Sequence, residues 1–270
     1  MTINEIPHHL AGTGVSSYRH YAVIGSTNDE ALAWAEAGAP DFSLVLADEQ
    51  TRGRGRYNRR WISKPGGSLA FSLILKPTPG ETHHLPLLSP LAGIAVSEAV
   101  DSLLAVRTQI KWPNDVLLNR RKFCGILVEA LWSGSTLSAA VMGVGINVLD
   151  QAIPHSDDQS FAATSLQMET GSPPDRDLLL SAMINNIRLW RGQLGTPAFM
   201  DRWQRDLAFM GEIVRVEHSG KPSIIGRVTG IDPGGRLILV DDTGNEVRFE
   251  IGDVHLRAGS HVENGGKHAG

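Results

Sequence analysis

Between Gln50 and Trp61 the chain reads QTRGRGRYNRRW, five arginines and two glycines in twelve residues with no carboxylate among them. Glycine lets a loop wrap its backbone N–H groups around an anion, and arginine adds planar, bidentate donors suited to phosphate and carboxylate. The same composition suits a solvated basic loop or one that touches RNA. Two features favour a small-anion site: the stretch lies between two predicted strands, and it ends in Trp61, which a solvated loop has little reason to carry. A second constellation, KWPND from Lys111 to Asp115, presents a cation, an aromatic face, an amide and a carboxylate together. Pro, Asn and Asp are also ordinary turn formers, so an unremarkable turn is the competing reading. Lys122 opens a third stretch whose strand contains Gly125, and a glycine inside an apolar strand marks either a bulge or the close approach of a ligand. A fourth, GVGINV from Gly143 to Val148, lacks the third glycine and the following helix of a dinucleotide fingerprint, but its two glycines and an exposed Asn147 suit contact with a nucleotide. There is no Walker A sequence and no G-x-S-x-G elbow. Cys124 has no neighbour that suggests a thiolate and reads as a small buried hydrophobe.

These residues need a scaffold, and hydrophobic periodicity supplies one. A strand over Val15–Ile24 enters a helix that starts at Thr27, where Thr27 and Glu30 have capping-box spacing, and stops at Gly38. Phe42–Asp48 is a short apolar strand that delivers the chain into the arginine loop. After the loop, Leu69, Phe71, Leu73 and Leu75 alternate with smaller residues, which predicts a half-buried strand. An amphipathic helix follows over Leu87–Leu104, then strands over Thr108–Trp112 and Val116–Leu118. Lys122–Trp132 and Thr136–Val148 flank SGS as a hairpin. Helices are predicted over Pro174–Gln193 and Pro197–Phe209. From Gly211 four short strands, Glu212–His218, Ser223–Ile231, Leu237–Val240 and Glu246–Ile251, alternate with glycine turns in the pattern of a small antiparallel barrel. The organisation is therefore a mixed body over residues 1–209, an all-β domain over 210–257, and a disordered tail over 258–270.

The 270 residues carry 25 basic and 29 acidic side chains, a balance unlike that of a protein coated for nucleic acid. With 41% hydrophobic and 20% charged residues, the composition is that of a soluble globular protein. No apolar run approaches the ~20 residues of a membrane span. The start lacks the pattern of a signal peptide. The single cysteine excludes an internal disulfide and fits a reducing compartment, so the expected location is cytoplasmic. The pairs His8–His9 and His83–His84 lack partners at zinc-site spacing.

Taken in order, STN at 26–28, QTRGRGR at 50–56 with Trp61, KWPND at 111–115, RKFCGILVE at 121–129 and GVGIN at 143–147 resemble the biotin–protein ligases over roughly residues 18–257. The resemblance implies an α+β fold, a mixed and largely antiparallel sheet with flanking helices, followed by a small SH3-like β-barrel. It implies an enzyme that activates biotin with ATP and Mg²⁺ to biotinyl-5′-AMP and pyrophosphate. The biotinyl group then passes to one lysine of a biotin carboxyl carrier domain, as in acetyl-CoA carboxylase or a related carboxylase. Ser26, Thr27, Asn28 and Gln50 would sit at the biotin ring, with Gly125 also against biotin. Arg54, Gly55 and Arg56 would wrap biotin and its adenylate, and Lys122 would touch the carboxylate and phosphate. Trp61, Lys111, Asn114, Asp115 and Asn147 would surround the nucleotide. The expected catalytic residues are Lys122, Arg56 and Asp115, with Asp115 either a proton acceptor or a metal ligand.

The loop of the family usually reads G-R-G-R-x-G-R, and here Asn58 stands at the last glycine. Asparagine tolerates a left-handed backbone better than other side chains, so the turn is expected to survive. Five mutually repelling arginines give the loop little reason to order without an anion. Only about seventeen residues precede the region of resemblance, too few for the helix-turn-helix of the family's repressor members, which implies no DNA partner. No membrane partner is implied, and both a monomer and a homodimer are compatible. Two alternatives remain: a lipoate or octanoate ligase or transferase on the same fold, and a non-enzymatic nucleic-acid-binding regulator.

Overall fold

A computed structural model describes residues 5–61, 63–153, 162–218, 221–250 and 254–258. The body is a seven-stranded sheet built from β1 (Ser17–Ile24), β2 (Ser43–Gln50), β3 (Ser68–Leu75), β4 (Thr108–Lys111), β5 (Asp115–Leu118), β6 (Arg121–Ser133) and β7 (Thr136–Asn147). Its order is β1-β2-β3-β7-β6-β5-β4, with β1 and β2 parallel and every other pair antiparallel. The helices are α1 (Thr27–Glu36), α2 (Leu88–Leu104), α3 (Leu166–Thr170), α4 (Arg176–Arg191) and α5 (Pro197–Asp206). The predicted order of elements holds, with ends moved by one to three residues. The short α3 is an addition.

One face of the sheet carries Leu44, Leu46, Leu69, Phe71, Leu73, Met142, Val144 and Ile126, all buried in a core closed by α2 and α4. The opposite face is covered only in part, by α1 lying on β2, β3 and β7. Because α1 caps that side, β3 is buried throughout rather than half-buried. The apolar stretch Thr82–Leu104, a 3₁₀ turn running into α2, is long and apolar enough by composition to cross a bilayer, contrary to expectation. Most of its apolar window is buried inside the protein, so α2 is a core helix.

The N-cap of α1 also differs from expectation. Ser26, not Thr27, accepts the Asp29 N–H, at 3.4 Å. The Glu30 carboxylate turns away to Arg19 and Tyr21, at 2.8 and 2.7 Å, which leaves the Thr27 hydroxyl for the site below.

The second sheet comprises β8 (Ile213–His218), β9 (Lys221–Ile231), β10 (Leu237–Val240), β11 (Glu246–Phe249) and β12 (Val254–Ala258), in the order β11-β10-β9-β8-β12 and all antiparallel. This small all-β unit is the predicted one with a fifth strand added. It is tied to the body by the Trp112 indole N–H, which donates to the Gly235 carbonyl at 3.0 Å, and by a bidentate Arg120–Glu212 pair. Of the predicted tail, Ala258 belongs to β12 and residues 259–270 lie outside the described residues.

Candidate functional site

The face of the sheet that α1 leaves open carries one row of residues paired in register across six strands. Ala47 on β2 faces Ala70 on β3, which faces Gly145 on β7, then Gly125 on β6, Asp115 on β5 and Lys111 on β4. At ~4.8 Å per strand the row is about 24 Å long. Four positions have no side chain beyond a Cβ, and the last two are charged. The result is a flat apolar shelf that ends in an ion pair.

The Trp61 indole lies on this shelf. A Cβ added to Gly145 would stand 2.4 Å from Trp61 Cε2, and one added to Gly125 would stand 3.0 Å from Trp61 Cζ3. Glycine at 145 is thus required by the close approach of an aromatic ring. The indole Nε1 is buried with no hydrogen-bond partner, as is the hydroxyl of Ser68, which pairs with Asn147 beside the shelf. A buried donor and a buried hydroxyl left unmatched cost free energy that a polar ligand can recover.

Along one side of the shelf runs a chain of neutral polar groups. Gln50 Oε1 accepts from the Thr27 N–H at 2.7 Å and lies 3.0 Å from the Thr27 hydroxyl. The Ser72 hydroxyl lies 2.8 Å from Thr27 Oγ1 and 2.6 Å from Asn28 Oδ1. Asn28 Nδ2 donates to Glu129 Oε2 at 2.9 Å. Asn28 packs directly over Gly143, where a Cβ would stand 2.0 Å from its Oδ1. Ser26, Thr27 and Asn28 are all buried, brought there by the first turn of α1. The grouping expected at a ring-recognition site is therefore assembled in space. Ser72 and Glu129 join it without having been singled out.

The arginine loop closes on itself. Arg54 and Arg60 form an isolated antiparallel bridge, the Gly55 N–H donates to the Arg59 carbonyl at 2.8 Å, and the Trp61 N–H donates to the Gly53 carbonyl at 3.0 Å. Its left-handed residue is Tyr57, with φ 56° and ψ 42°, rather than Asn58. Arg56 stacks on the Tyr57 ring at 5.1 Å. Arg54 donates both terminal nitrogens to Glu129, at 2.8 and 2.5 Å, and its Nε to Asp29 at 2.8 Å. The repulsion among the arginines is offset at Arg54 by these two carboxylates, which come from β6 and α1.

At the charged end, Asp115 Oδ1 lies 2.5 Å from Lys122 Nζ and Oδ2 lies 3.6 Å from Lys111 Nζ. Burial pushes the Asp115 carboxyl up, but the Lys122 and Lys111 ammoniums outweigh it and hold the group below its ordinary range. Burial likewise lowers Lys111, to about 8, against the partial support of Asp115. Lys122 Nζ stands 5.9 Å from the Trp61 ring centroid, between the shelf and the acid. A group of three or more Cys, His, Asp or Glu side chains that could hold a metal is absent among the described residues.

Two asparagines expected at the nucleotide are each anchored in the fold by a side-chain bond. Asn114 ties its own turn to β6 by donating to the Ile126 carbonyl at 2.8 Å. Asn147 is buried rather than exposed and donates to the Thr164 carbonyl at 3.0 Å. Thr164 and its neighbours were not foreseen. Ala163 pairs with Lys122 as an isolated parallel bridge, and the segment is held by Glu169, which accepts from the Thr164 hydroxyl, binds Arg121 at 2.6 Å and accepts from Asn119 at 2.7 Å. The only sequence signal there is the small-polar run ATS at 163–165. Cys124 is buried, and burial pushes its thiol well up, as a packing role requires.

Comparison with known proteins meets the same region. The family described as "Biotin/lipoate A/B protein ligase family" matches residues 21–147, and "Biotin protein ligase C terminal domain" matches residues 209–257. A biotin–[acetyl-CoA-carboxylase] ligase of Paracoccus denitrificans is 36% identical over 230 residues, covering 82% of this chain and 93% of that one. Its counterpart from Mycobacterium tuberculosis is 34% identical over 254 residues, covering 92% of each. Among solved structures, the biotin protein ligase from Aquifex aeolicus in complex with biotin and ATP superposes with a TM-score of 0.75 at 28% identity, covering 90% of this chain and 99% of that one.

Proposed function

The chain belongs to the biotin–protein ligase family, and from that premise we propose how its own residues carry the reaction. The protein is an ATP-dependent biotin–protein ligase. Its substrates are biotin and ATP, it forms biotinyl-5′-AMP, and it passes the biotinyl group to a carrier protein. The Paracoccus and Mycobacterium relatives are named as biotin ligases, and the Aquifex structure holds biotin and ATP, which favours biotin over the lipoate alternative.

The observation that carries the assignment of roles is the row from Ala47 to Lys111, flat and apolar at one end and charged at the other. The fused rings of biotin lie on the shelf, with their polar edge towards Thr27, Asn28 and Gln50. The carboxylate points along the row towards Lys122. A carboxylate oxygen attacks the α-phosphorus of ATP, a C–O–P bond forms, the bond to the β-phosphate breaks and pyrophosphate leaves. Two anions are pushed together in this step, and fixed cations offset the repulsion and stabilise the charge that develops. Lys122 and Arg56 supply that charge. In the second step the carrier lysine, its ammonium proton already lost to solvent, attacks the acyl carbon as a neutral amine, the bond from the acyl carbon to the AMP oxygen breaks, and the N–H proton released leaves with the AMP phosphate. Asp115, held ionised by two lysines, orients Lys122 at the carboxylate end of the row. Both its oxygens face ammonium groups, so the residues present do not make a resident metal site. Mg²⁺ enters as part of the nucleotide substrate, in keeping with its preference for phosphates and few protein carboxylates.

The carrier is the biotin carboxyl carrier domain of acetyl-CoA carboxylase or a related carboxylase, the reaction is cytoplasmic, and the body gives way to the β-domain near residue 209. The test is ATP–pyrophosphate exchange. Exchange that requires biotin and is indifferent to lipoate supports the reading, and exchange that follows lipoate overturns it.

A further inference from the structure

Glu129 lies in the middle of β6, on the open face of the sheet, and takes part in none of the roles derived above. Its carboxylate receives three hydrogen bonds from two directions: Arg54 Nη1 and Nη2 at 2.8 and 2.5 Å, and Asn28 Nδ2 at 2.9 Å. Asp29 completes the enclosure by taking Arg54 Nε at 2.8 Å. Every nitrogen of the Arg54 guanidinium therefore faces a carboxylate, and its positive charge is matched locally by two negative ones. A guanidinium so enclosed offers little to a phosphate or to the carboxylate of a substrate.

We infer that Glu129 is a positioning residue that latches the arginine loop to the ring-recognition residues, and that Arg54 serves this reaction as a strut rather than as a ligand-binding cation. The proposal rests on the reading of the site as a biotin site. Three features carry it. First, bidentate Arg–carboxylate pairing fixes direction as well as distance, so the pair determines where the loop stands over the shelf. Second, the same Glu129 Oε2 that meets Arg54 Nη2 also accepts from Asn28, so one atom joins the loop to the buried chain Asn28–Ser72–Thr27–Gln50. A ligand that reorients Asn28 is felt by the loop, and the loop's position is felt by Asn28. Third, Asn28 has no room to move towards the sheet, because it already packs against Gly143 with no Cβ between them. Its amide is thereby held in the orientation that serves Glu129. Lone surface ion pairs contribute little, but this one is bidentate and shared with a buried amide.

The test uses the full chain and compares Glu129→Gln, Asp29→Asn, Arg54→Ala and the double variant Glu129→Gln/Arg54→Ala. The first readout is hydrogen exchange at the Gly55 and Trp61 amides, whose bonds to Arg59 and Gly53 close the loop. In the free protein, Glu129→Gln should speed exchange at both by about tenfold, since a neutral amide keeps the Asn28 bond but loses the charged pair. The second readout is the split of biotin-dependent exchange kinetics. KM for biotin should rise about tenfold while kcat falls by less than about threefold. The double variant should match Arg54→Ala alone in both readouts, because the two residues act through one contact. Asp29→Asn, at the exposed start of α1, should move both readouts in the same direction by a smaller factor, and it serves if Glu129→Gln does not fold. Parent-like amide exchange in Glu129→Gln overturns the latch, and so do effects that multiply in the double variant. Failure of the parent to use biotin would instead overturn the functional reading. The amide exchange of the free protein needs no substrate and still judges the latch.

Discussion

Substituting alanine at Gly145 adds a single methyl group where the shelf meets the Trp61 ring. The added Cβ would stand 2.4 Å from Cε2, 2.7 Å from Nε1 and 2.8 Å from Cδ2 of Trp61. Carbon atoms in good contact sit at ~3.5–4.0 Å, so the ring must retreat by about 1 Å or more. The backbone of β7 cannot move instead, because Gly145 is paired on both sides, with Ala70 and Gly125. Overpacking of this kind costs ~1–3 kcal/mol. Displacing Trp61 also pulls on the Trp61–Gly53 bond that closes the arginine loop. If the penalty falls on the bound state, biotin affinity drops roughly 5- to 150-fold, at ~1.4 kcal/mol per tenfold. Isothermal titration with biotin gives the affinity, and the tryptophan emission of the free protein reports on the ring as it leaves its half-buried position. Gly125→Ala is the internal control. Its Cβ meets Trp61 Cζ3 at 3.0 Å and otherwise the flexible Lys122 side chain, so its effect should be several-fold smaller. Parent-like biotin affinity in Gly145→Ala, or a larger loss in Gly125→Ala, would refute the shelf as the seat of the ring.

Other expected outcomes follow from the charged end and the loop. Lys122→Ala should slow adenylate formation by ~2–4 kcal/mol of transition-state stabilisation with little loss of folding stability, and adenylation at the parent rate would make the lysine structural. Arg56→Gly should release biotinyl-5′-AMP faster by ~1.5–3 kcal/mol of lost contact, read as biotin incorporated into a bystander protein mixed with the carrier. Unchanged carrier selectivity would remove Arg56 from the closed loop. Lys111 sits at about 8 in the folded chain against 10.5 as the ordinary value, so between these the unfolded chain holds the extra proton. The Lys111 contribution to stability therefore rises with pH across that window as the penalty for burying the ammonium is relieved, against the opposite trend of the buried Cys124 thiol above pH 9. In urea unfolding measured from pH 7 to 10.5, Lys111→Met should gain less stability, or lose more, than the parent as pH rises, and identical pH dependence in the two would assign no such contribution to Lys111.

What was legible in the sequence was whatever depends on local pattern. The order of strands and helices follows from periodicity, and the β6–β7 hairpin follows from two long β-rich arms around a short glycine turn. Even the shelf had a local trace, since Ser68, Ala70 and Ser72 alternate with Leu69, Phe71 and Leu73. The large residues fill the core, and the small ones leave the opposite face flat. Their meaning was hidden because flatness is a property of a row, and the row runs across strands that are far apart in the chain. Gly125 and Gly145 each looked like a local irregularity. Only the register that sets them side by side makes a surface for a ring. The same holds for charge. Within the twelve residues alone the five arginines repel one another. Asp29 and Glu129 enter from elements 25 and 75 positions away from Arg54 and turn one of the five into a strut. The Ser26–Asn28 stretch shows the converse case, a correct grouping with a misassigned partner. Glu30 has the spacing to reach back to Thr27, but Arg19 and Tyr21 on β1 offer it charge and a phenol, and they win. The Thr27 hydroxyl is thereby left to Gln50 and Ser72, and so the competition lost by the capping box is what frees a side chain for the site.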